Sequence, residues 1–324
     1  MQDFLDGLFF FGSRRLFLSE PPTRRDGVAR SELFWRGERT APRPKVGRGL
    51  AGPRGRRHRP RDEARGASRA FASRSETNMV KRALVLQHVP FEGPAAIGEV
   101  CREVGLEVEV RRLDLGDAVP EAVSPEELLV VMGGPMGIGD IGSPEFPFLE
   151  REVELVRRCL TDEAPILGVC LGAQLIAHVA SAPVQPMKAP DGARVFELGW
   201  APVKLHKVGP GDPILGGLEG ELSVFHWHGD HFALPSGARL LASTEVCPAQ
   251  GFLLGARAVG LQFHIEVGLS EIETVMEADR SFLVRARGER GPEAIREETK
   301  LHEAPSLGGR QRLLRNIVEF LARG

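Results

Sequence analysis

Apolar and polar positions alternate along residues 79–180 in a pattern that predicts strands separated by helices. Short apolar runs rich in β-branched residues indicate strands. These runs are 82–89, 107–115, 127–132 and 166–169. Apolar residues at helical spacing predict helices at 94–104, 145–160 and 171–180. Such alternation builds βαβ units, so the sequence predicts an α/β fold with a mostly parallel central sheet flanked by helices.

From residue 184 onward the apolar runs become shorter and are separated by turn residues. This change predicts a mixed or antiparallel extension of the sheet. The predicted strands are 200–205, 222–227, 238–242, 251–254 and 259–264. Helical spacing returns in three C-terminal segments, at 270–287, 292–302 and 310–322. Ser270 followed by Glu273 has the spacing of a capping box at the start of the first of them.

A cysteine lies at the junction of a predicted strand and a predicted helix. Between Ile166 and Gln174 an apolar run ends at Cys170, which Gly168 and Gly172 flank on either side. This is the layout of a nucleophile elbow with cysteine in the place of serine. The glycines remove side chains that would collide in the strained turn. The N-terminus of the following helix predicts a lowered pKa for the thiol.

Candidate partners for this cysteine lie elsewhere in the chain. His264 and Glu266 are two residues apart in a predicted strand, so alternation places them on one face. A base and a carboxylate that orients it are what a cysteine nucleophile requires. Upstream, the strand at 127–132 runs into a glycine-rich loop. The backbone N–H groups there, at Gly133 and Gly134, are suited to holding an oxyanion.

Three motifs in this order resemble those of the class I, triad-type glutamine amidotransferases. They are Gly-Gly-Pro-Met-Gly at 133–137, Gly-Val-Cys-Leu-Gly-Ala-Gln at 168–174 and Gln-Phe-His-Ile-Glu-Val at 262–267. The likeness covers about residues 80–267 and is greatest to stand-alone domains similar to the glutaminase half of GMP synthase. It implies a flavodoxin-like fold and an enzyme that hydrolyses the glutamine side-chain amide, releasing glutamate and ammonia without a cofactor.

The resemblance also implies roles for individual residues. Cys170, His264 and Glu266 would form the catalytic triad, with the γ-glutamyl group carried as a thioester on the cysteine. The predicted oxyanion and substrate-binding residues are Gly133, Gly134, Leu171, Gln174, His228, Gly229 and Asp230. Among these, Gly134 and Leu171 would hold the oxyanion through backbone N–H groups. Gln174 would help to bind the amino-acid head of the substrate, and the His228-Gly229-Asp230 turn would line its pocket.

A run of histidines raises the question of a metal site. His226, His228 and His231 lie within six residues. However, the Gly229-Asp230 turn interrupts the run, and neither a nearby cysteine nor a Glu-x-x-His helix completes a ligand set. The sequence therefore predicts no bound metal.

Charge divides the chain into two unequal parts. Residues 1–78 contain 17 Arg, one Lys and nine acidic residues, which gives a net charge of +9. Since the whole chain has a net charge of −2, the remaining 246 residues have a net charge of −11. The first part is rich in Pro, Gly and Arg and has no sustained apolar period. We expect it to be disordered or a mis-called extension, with the amidotransferase-like domain spanning 79–324. An arginine-rich tail of this kind also attracts nucleic acid electrostatically, but it lacks interleaved aromatic residues, and we expect no nucleic-acid partner.

The cysteines indicate a reducing compartment. Cys101, Cys159, Cys170 and Cys247 show no paired spacing, and the sequence has no secretory signal and no apolar run of 18 residues. We therefore expect a cytoplasmic protein without a membrane contact.

Two alternative functions remain open. A γ-glutamyl peptidase or hydrolase would use the same triad on a γ-glutamyl amine or peptide. A non-catalytic regulatory module would keep the fold alone. The sequence has neither a P-loop nor the Ser-Gly-Gly signature of an ATP pyrophosphatase. An ammonia-accepting synthetase would therefore be a separate chain.

Overall fold

The computed structural model describes residues 79–323. Residues 1–78 lie outside the described part, so the expectations of a disordered or mis-called extension and of a domain start at Met79 stay predictions. Within the described part, no helix is both long enough and apolar enough to span a bilayer.

Strands and helices alternate through the first half of the described chain, and short strands fill much of the second half. The strands are β1 (Arg82–Gln87), β2 (Glu107–Arg112), β3 (Glu127–Val131), β4 (Ile166–Val169), β5 (Val184–Pro186), β6 (Glu197–Leu205), β7 (Glu221–His228), β8 (Asp230–Phe232), β9 (Arg239–Ser243), β10 (Gly251–Leu254) and β11 (Ala258–Leu261). The helices are α1 (Ala95–Glu103), α2 (Phe148–Thr161), α3 (Leu171–Val179), α4 (Leu269–Ala278), α5 (Arg280–Arg287) and α6 (Gly291–Ala322).

One large sheet organises the domain. Its order is β2-β1-β3-β4-β11-β10-β9-β6-β7. The pairings from β2 to β11 are parallel, and those from β11 to β7 are antiparallel. This confirms the predicted α/β fold with an antiparallel extension. A second small sheet, β5 with β8, has no counterpart in the sequence prediction.

Helices cover both faces of the parallel strands. On one face Ile97 of α1 and Ile317 of α6 pack in a single apolar cluster with Val130 of β3. On the other face Leu155 of α2 packs in a second cluster with Leu129 of β3. Because β3 and β4 are buried on both faces, they read in the sequence as continuous apolar runs. Their carboxyl ends meet at the edge where the candidate site lies.

Two predicted helix boundaries at the C-terminus were wrong. The segment 270–287 is two helices that meet at Asp279, whose carboxylate accepts a hydrogen bond from Trp227 Nε1 at 3.2 Å. The segments 292–302 and 310–322 are one helix, α6, that continues through Pro305. Tertiary contacts outweigh the local helix-breaking tendency, since the far half of α6 carries five buried aliphatic residues. These are Leu313, Leu314, Ile317, Val318 and Leu321.

The predicted capping box was also wrong. Helix α4 begins one residue before Ser270, and the Gly268 N–H donates to Glu271 Oε2 at 3.0 Å. Glu273 instead binds Arg296 of α6 at 2.8 Å. A cap two residues earlier therefore starts the helix, and Glu273 joins α4 to α6.

Candidate active site

The turn between β4 and α3 holds Cys170 in a strained backbone conformation. Its φ is 51° and its ψ is −105°, a region that residues with a side chain rarely adopt. A Cβ on Gly172 would lie 2.1 Å from the Val131 carbonyl oxygen, and one on Gly168 would lie 2.5 Å from the Gly172 carbonyl carbon. The glycines that flank Cys170 are therefore required by contact, as the sequence predicts. The strand, the sharp turn and the helix together form a nucleophile elbow.

His264 and Glu266 lie in an extended segment beyond the end of β11. The prediction that a strand reaches His264 was wrong, because β11 ends at Leu261. A two-hydrogen-bond bridge to Phe225 of β7 holds the histidine backbone instead, at 2.8 and 3.2 Å. His264 Nδ1 contacts Glu266 Oε1 at 2.6 Å, while Glu266 Oε2 accepts from the Ile265 N–H at 2.9 Å. The carboxylate thus fixes the imidazole in one orientation.

The environment of Cys170 and His264 controls their protonation. Burial raises the pKa of the Cys170 thiol, and the neighbouring His264 acts in the opposite direction. Burial outweighs the lowering that the Leu171 N–H at the start of α3 still contributes. Burial alone would lower the pKa of His264, but Glu266 and the neighbouring Cys170 raise it well above its usual range. His264 is thus the neighbour that favours loss of the thiol proton, and the two groups titrate as a coupled pair.

Two glutamine side chains lie behind the sulfur. Gln262 donates through Nε2 to Cys170 Sγ at 3.6 Å, and Gln174 donates through Nε2 to Gln262 Oε1 at 3.2 Å. Gln174, predicted to bind the substrate head, lines the cavity and also holds Gln262 in place. Sequence reasoning missed Gln262, although it stands two residues before His264 in the third motif.

A glycine loop after β3 faces Cys170. A Cβ on Gly133 would lie 3.5 Å from Cys170 Cβ, and one on Gly134 would lie 3.3 Å from Leu171 Cδ2. The predicted oxyanion residues Gly133, Gly134 and Leu171 are thus brought together with Cys170. Leu171 is the first residue of α3, whose N-terminal N–H groups have no partner within the helix.

The turn after β7 closes another side of the site. His228 is buried, its Nδ1 lies 3.0 Å from the Asp230 carbonyl oxygen, and its Nε2 lies 3.2 Å from Glu197 Oε2. Asp230 accepts from Arg194 Nη2 at 2.6 Å. The Gly229 carbonyl oxygen accepts from the Met187 N–H at 2.9 Å. All three turn residues line the cavity that contains Cys170.

This cavity has a volume of about 400 Å³ and is open to solvent. Cys170, Leu171 and Gly134 lie on one side of it, and it extends to Phe282 and Arg285 of α5. The Arg285 guanidinium lies 5.4 Å from the centre of the Phe282 ring. The cavity thus reaches from Cys170 to Arg285 and Phe282, a cationic and an aromatic residue that sequence reasoning did not identify.

The donor set most suited to a metal lies beside this cavity. One ligand atom each from Glu197, His226 and His228 lie within 4.8 Å of one another. The Glu197 carboxylate already accepts from Thr244 Oγ1 at 2.7 Å and from the Gln250 amide. The hydrogen-bonding capacity of Glu197 is therefore used within the protein. Burial lowers the pKa of His226 to about 4, which keeps the His226 ring neutral. Glu197 is thus satisfied without a cation, whereas both ring nitrogens of buried His226 lack a hydrogen-bond partner among the described residues, and the expectation of no metal stays a prediction.

Glu92 is a further residue that sequence reasoning missed. It follows β1, and its Oε2 would lie 2.1 Å from a Cβ on Gly133, so the carboxyl group covers the glycine loop beside Cys170. Burial raises the pKa of Glu92 to about 7, although His264 and His88 act in the opposite direction. Its position in the sequence could have indicated a place in the site, since β1 ends at the same sheet edge as β3 and β4.

Replacing Glu92 by glutamine should stabilise the protein at alkaline pH. A carboxyl group whose pKa rises on folding binds more protons in the folded state, so wild-type stability falls as pH rises from about 4.5 to about 7 and stays lower above it. The variant lacks this loss, which amounts to at most roughly 3 kcal/mol. Urea unfolding at pH 5 and pH 8 measures it. If the variant exceeds the wild type in free energy of unfolding by the same amount at both pH values, the expectation is contradicted. The control is Glu99→Gln, which changes an exposed residue of α1.

Comparison with known proteins identifies the family. The family model described as glutamine amidotransferase class-I matches residues 95–282, a segment that contains Cys170, His264 and Glu266. The chain belongs to the class I glutamine amidotransferase family. This confirms the resemblance that the three motifs carry.

Relatives and solved structures agree with this assignment. The glutamine amidotransferase-like protein YfeJ of Salmonella typhimurium is 29% identical over 205 residues, covering 63% of this chain and 83% of YfeJ. GMP synthase of Marinomonas sp. is 30% identical over 174 residues, covering 51% of this chain but only 30% of the synthase. A glutamine amidotransferase structure from Thermotoga maritima is 30% identical with a TM-score of 0.63, covering 75% of this chain and 99% of that one.

Proposed function

We propose that this protein hydrolyses the side-chain amide of glutamine through a cysteine thioester. The Cys170 thiolate attacks the amide carbon and forms a C–S bond, while the carbonyl oxygen becomes an oxyanion. Backbone N–H groups of Gly134 and Leu171 hold that oxyanion. His264 carries the thiol proton and transfers it to the leaving nitrogen, so that the C–N bond breaks and ammonia departs.

The second half of the reaction uses the same groups. His264 takes a proton from water, and the hydroxide attacks the γ-glutamyl thioester. The C–S bond breaks, and the products are glutamate and the regenerated thiol. Glu266 holds the imidazole in the correct tautomer and stabilises its cation at each transfer. Gln174 and the His228-Gly229-Asp230 turn orient the substrate.

The observation that carries this proposal is the 2.6 Å contact between His264 Nδ1 and Glu266 Oε1 beside a cysteine at a nucleophile elbow. An imidazole fixed by a carboxylate serves as a general base, and the strained turn exposes the sulfur to the cavity. Family membership supports the same chemistry, because class I glutamine amidotransferases act on glutamine.

We further propose that the ammonia passes to a synthetase. The relatives include proteins named as glutamine-hydrolysing GMP synthases, and the match spans less than a third of their length. The remaining two thirds of those synthases have no counterpart in the matched segment. The proposed synthetase therefore lies outside the matched segment.

A γ-glutamyl amine or peptide is the second candidate substrate. The cavity extends from Cys170 to Phe282 and Arg285, which leaves room for a leaving group larger than ammonia. The triad chemistry is the same, with an amine in place of ammonia as the leaving group.

The test is release of glutamate from L-glutamine and from a panel of γ-glutamyl amines and dipeptides, with ammonia measured in the glutamine reaction. We expect glutamate and ammonia in equal amounts from glutamine. Turnover of the γ-glutamyl panel alone would replace the glutaminase proposal with the hydrolase one. No turnover of any substrate, alone or with a candidate synthetase, would favour a regulatory module.

A further inference from the structure

A buried histidine binds the carbonyl group of the glycine loop. His88 follows β1, and its side chain has no exposed surface. Its Nδ1 lies 2.8 Å from the Gly133 carbonyl oxygen. A carbonyl oxygen can only accept, so Nδ1 carries the proton and donates it. The peptide that joins Gly133 to Gly134 is thereby held in one orientation.

That orientation determines where the Gly134 N–H points. In a trans peptide the C=O and N–H groups point in opposite directions. Because the Gly133 carbonyl points to His88 in the protein interior, the Gly134 N–H points away from it. Gly134 lines the cavity together with Cys170 and Leu171. No hydrogen-bond acceptor within residues 79–323 takes this N–H, so it is available to a ligand.

A carboxylate from another element holds the histidine ring. Glu152 of α2 has no exposed side-chain surface, and its two oxygens lie 2.9 and 3.0 Å from His88 Nε2. Burial disfavours the charged ring, but Glu152 outweighs this effect and raises the pKa of His88. Buried ion pairs contribute little net stability compared with well-packed apolar residues. A role in orienting the loop accounts for a pair that stability alone does not require.

We propose that His88, held by Glu152, is a positioning residue for the Gly133–Gly134 peptide. It fixes the peptide so that the Gly134 N–H points at the oxyanion formed in the Cys170 reaction. This inference rests on the proposed function. His88 does not touch the substrate, and it acts only through the peptide. Without its donor, the flexible Gly-Gly peptide can rotate and turn a carbonyl oxygen towards the developing negative charge.

Three substitutions separate the two contacts of the ring. The side-chain nitrogen of asparagine corresponds to Nδ1, so His88→Asn keeps a donor for the Gly133 carbonyl. The side-chain nitrogen of glutamine corresponds to Nε2, so His88→Gln keeps only the contact with Glu152. His88→Ala removes both. We expect kcat to fall by about 10²–10³-fold in the alanine and glutamine variants, the usual loss for one oxyanion donor, and by less than about tenfold in the asparagine variant. KM should change little.

Alkylation of Cys170 by iodoacetamide provides the control for general damage. Displacement of iodide forms no oxyanion, so its rate should be unchanged in all three variants, with Cys170→Ala as the blank. Cys101, Cys159 and Cys247 are buried and do not line the cavity, so the Cys170→Ala blank shows any alkylation that occurs at them. If kcat and alkylation fall together, or if His88→Asn is no better than His88→Gln, the positioning role is wrong.

Crystal structures test the inference without any substrate. The Gly133–Gly134 peptide should be rotated or present in two orientations in the glutamine variant and unchanged in the asparagine variant. An unchanged peptide in the glutamine variant would overturn the proposal even if its kcat is low. Failure of the wild-type protein to hydrolyse any γ-glutamyl substrate would overturn the proposed function instead, and the peptide orientation would still decide the role of His88.

Discussion

Replacing Cys170 by alanine should abolish the proposed glutamine hydrolysis, with an expected loss of about 10⁴–10⁶-fold in turnover. The reason is chemical, because the thioester needs the sulfur and no neighbouring group can replace it. Folding should be little affected, since alanine fits the space that the thiol leaves. The measurement is ammonia and glutamate release from L-glutamine by the full chain, beside thermal unfolding of the same samples.

A matched control separates the nucleophile from cysteine loss in general. Cys159 of α2 is also buried, but it does not line the cavity. Cys159→Ala should therefore keep nearly full turnover. If Cys170→Ala retains wild-type activity, the nucleophile is another residue and the triad assignment is wrong.

Replacing Glu266 by glutamine should reduce turnover by roughly 10³–10⁴-fold, comparable to other triads that lose their orienting carboxylate. Glu266 makes the 2.6 Å contact with His264 Nδ1 and raises the pKa of that ring. A neutral amide can donate to Nδ1 and thereby stabilise the wrong tautomer. It also leaves the imidazolium without a counter-charge in a buried site.

The pH dependence of this variant adds an independent measurement. Since Glu266 raises the pKa of His264, its removal should lower that pKa and move the histidine-dependent limb of the kcat profile to lower pH. Glu273→Gln is the control, because Glu273 is half-exposed and pairs with Arg296 away from the site. An unchanged profile together with high turnover in Glu266→Gln would show that His264 needs no carboxylate.

Local motifs made part of the site predictable. The elbow could be identified because a Cβ at Gly168 or Gly172 would collide with atoms close by. Those atoms belong to the turn itself and to the adjacent strand β3. The face shared by His264 and Glu266 follows from extended backbone, which persists even though β11 ends at Leu261. Such features depend on short-range sterics, which composition and spacing report directly.

Residues that reach the site from distant segments were not predictable in this way. His88 and Glu92 follow β1, yet they lie at the glycine loop after β3 because the sheet order places these strands side by side. Glu152 comes from α2, 64 residues from His88 in the chain. No local pattern encodes these contacts, since each depends on how parallel strands and their crossover helices pack.

By itself, the sequence determined the α/β class, the order of the three motifs, the strained position of Cys170 and membership of the class I glutamine amidotransferases. The tertiary structure decided the direction of the thiol pKa shift, the break at Asp279, the continuity of α6 through Pro305 and the orientation of the Gly133–Gly134 peptide. The physical reason is the distance along the chain over which each kind of interaction acts. Backbone sterics and apolar periodicity act between near neighbours, whereas burial, buried charge pairs and helix packing depend on groups that only the fold brings together.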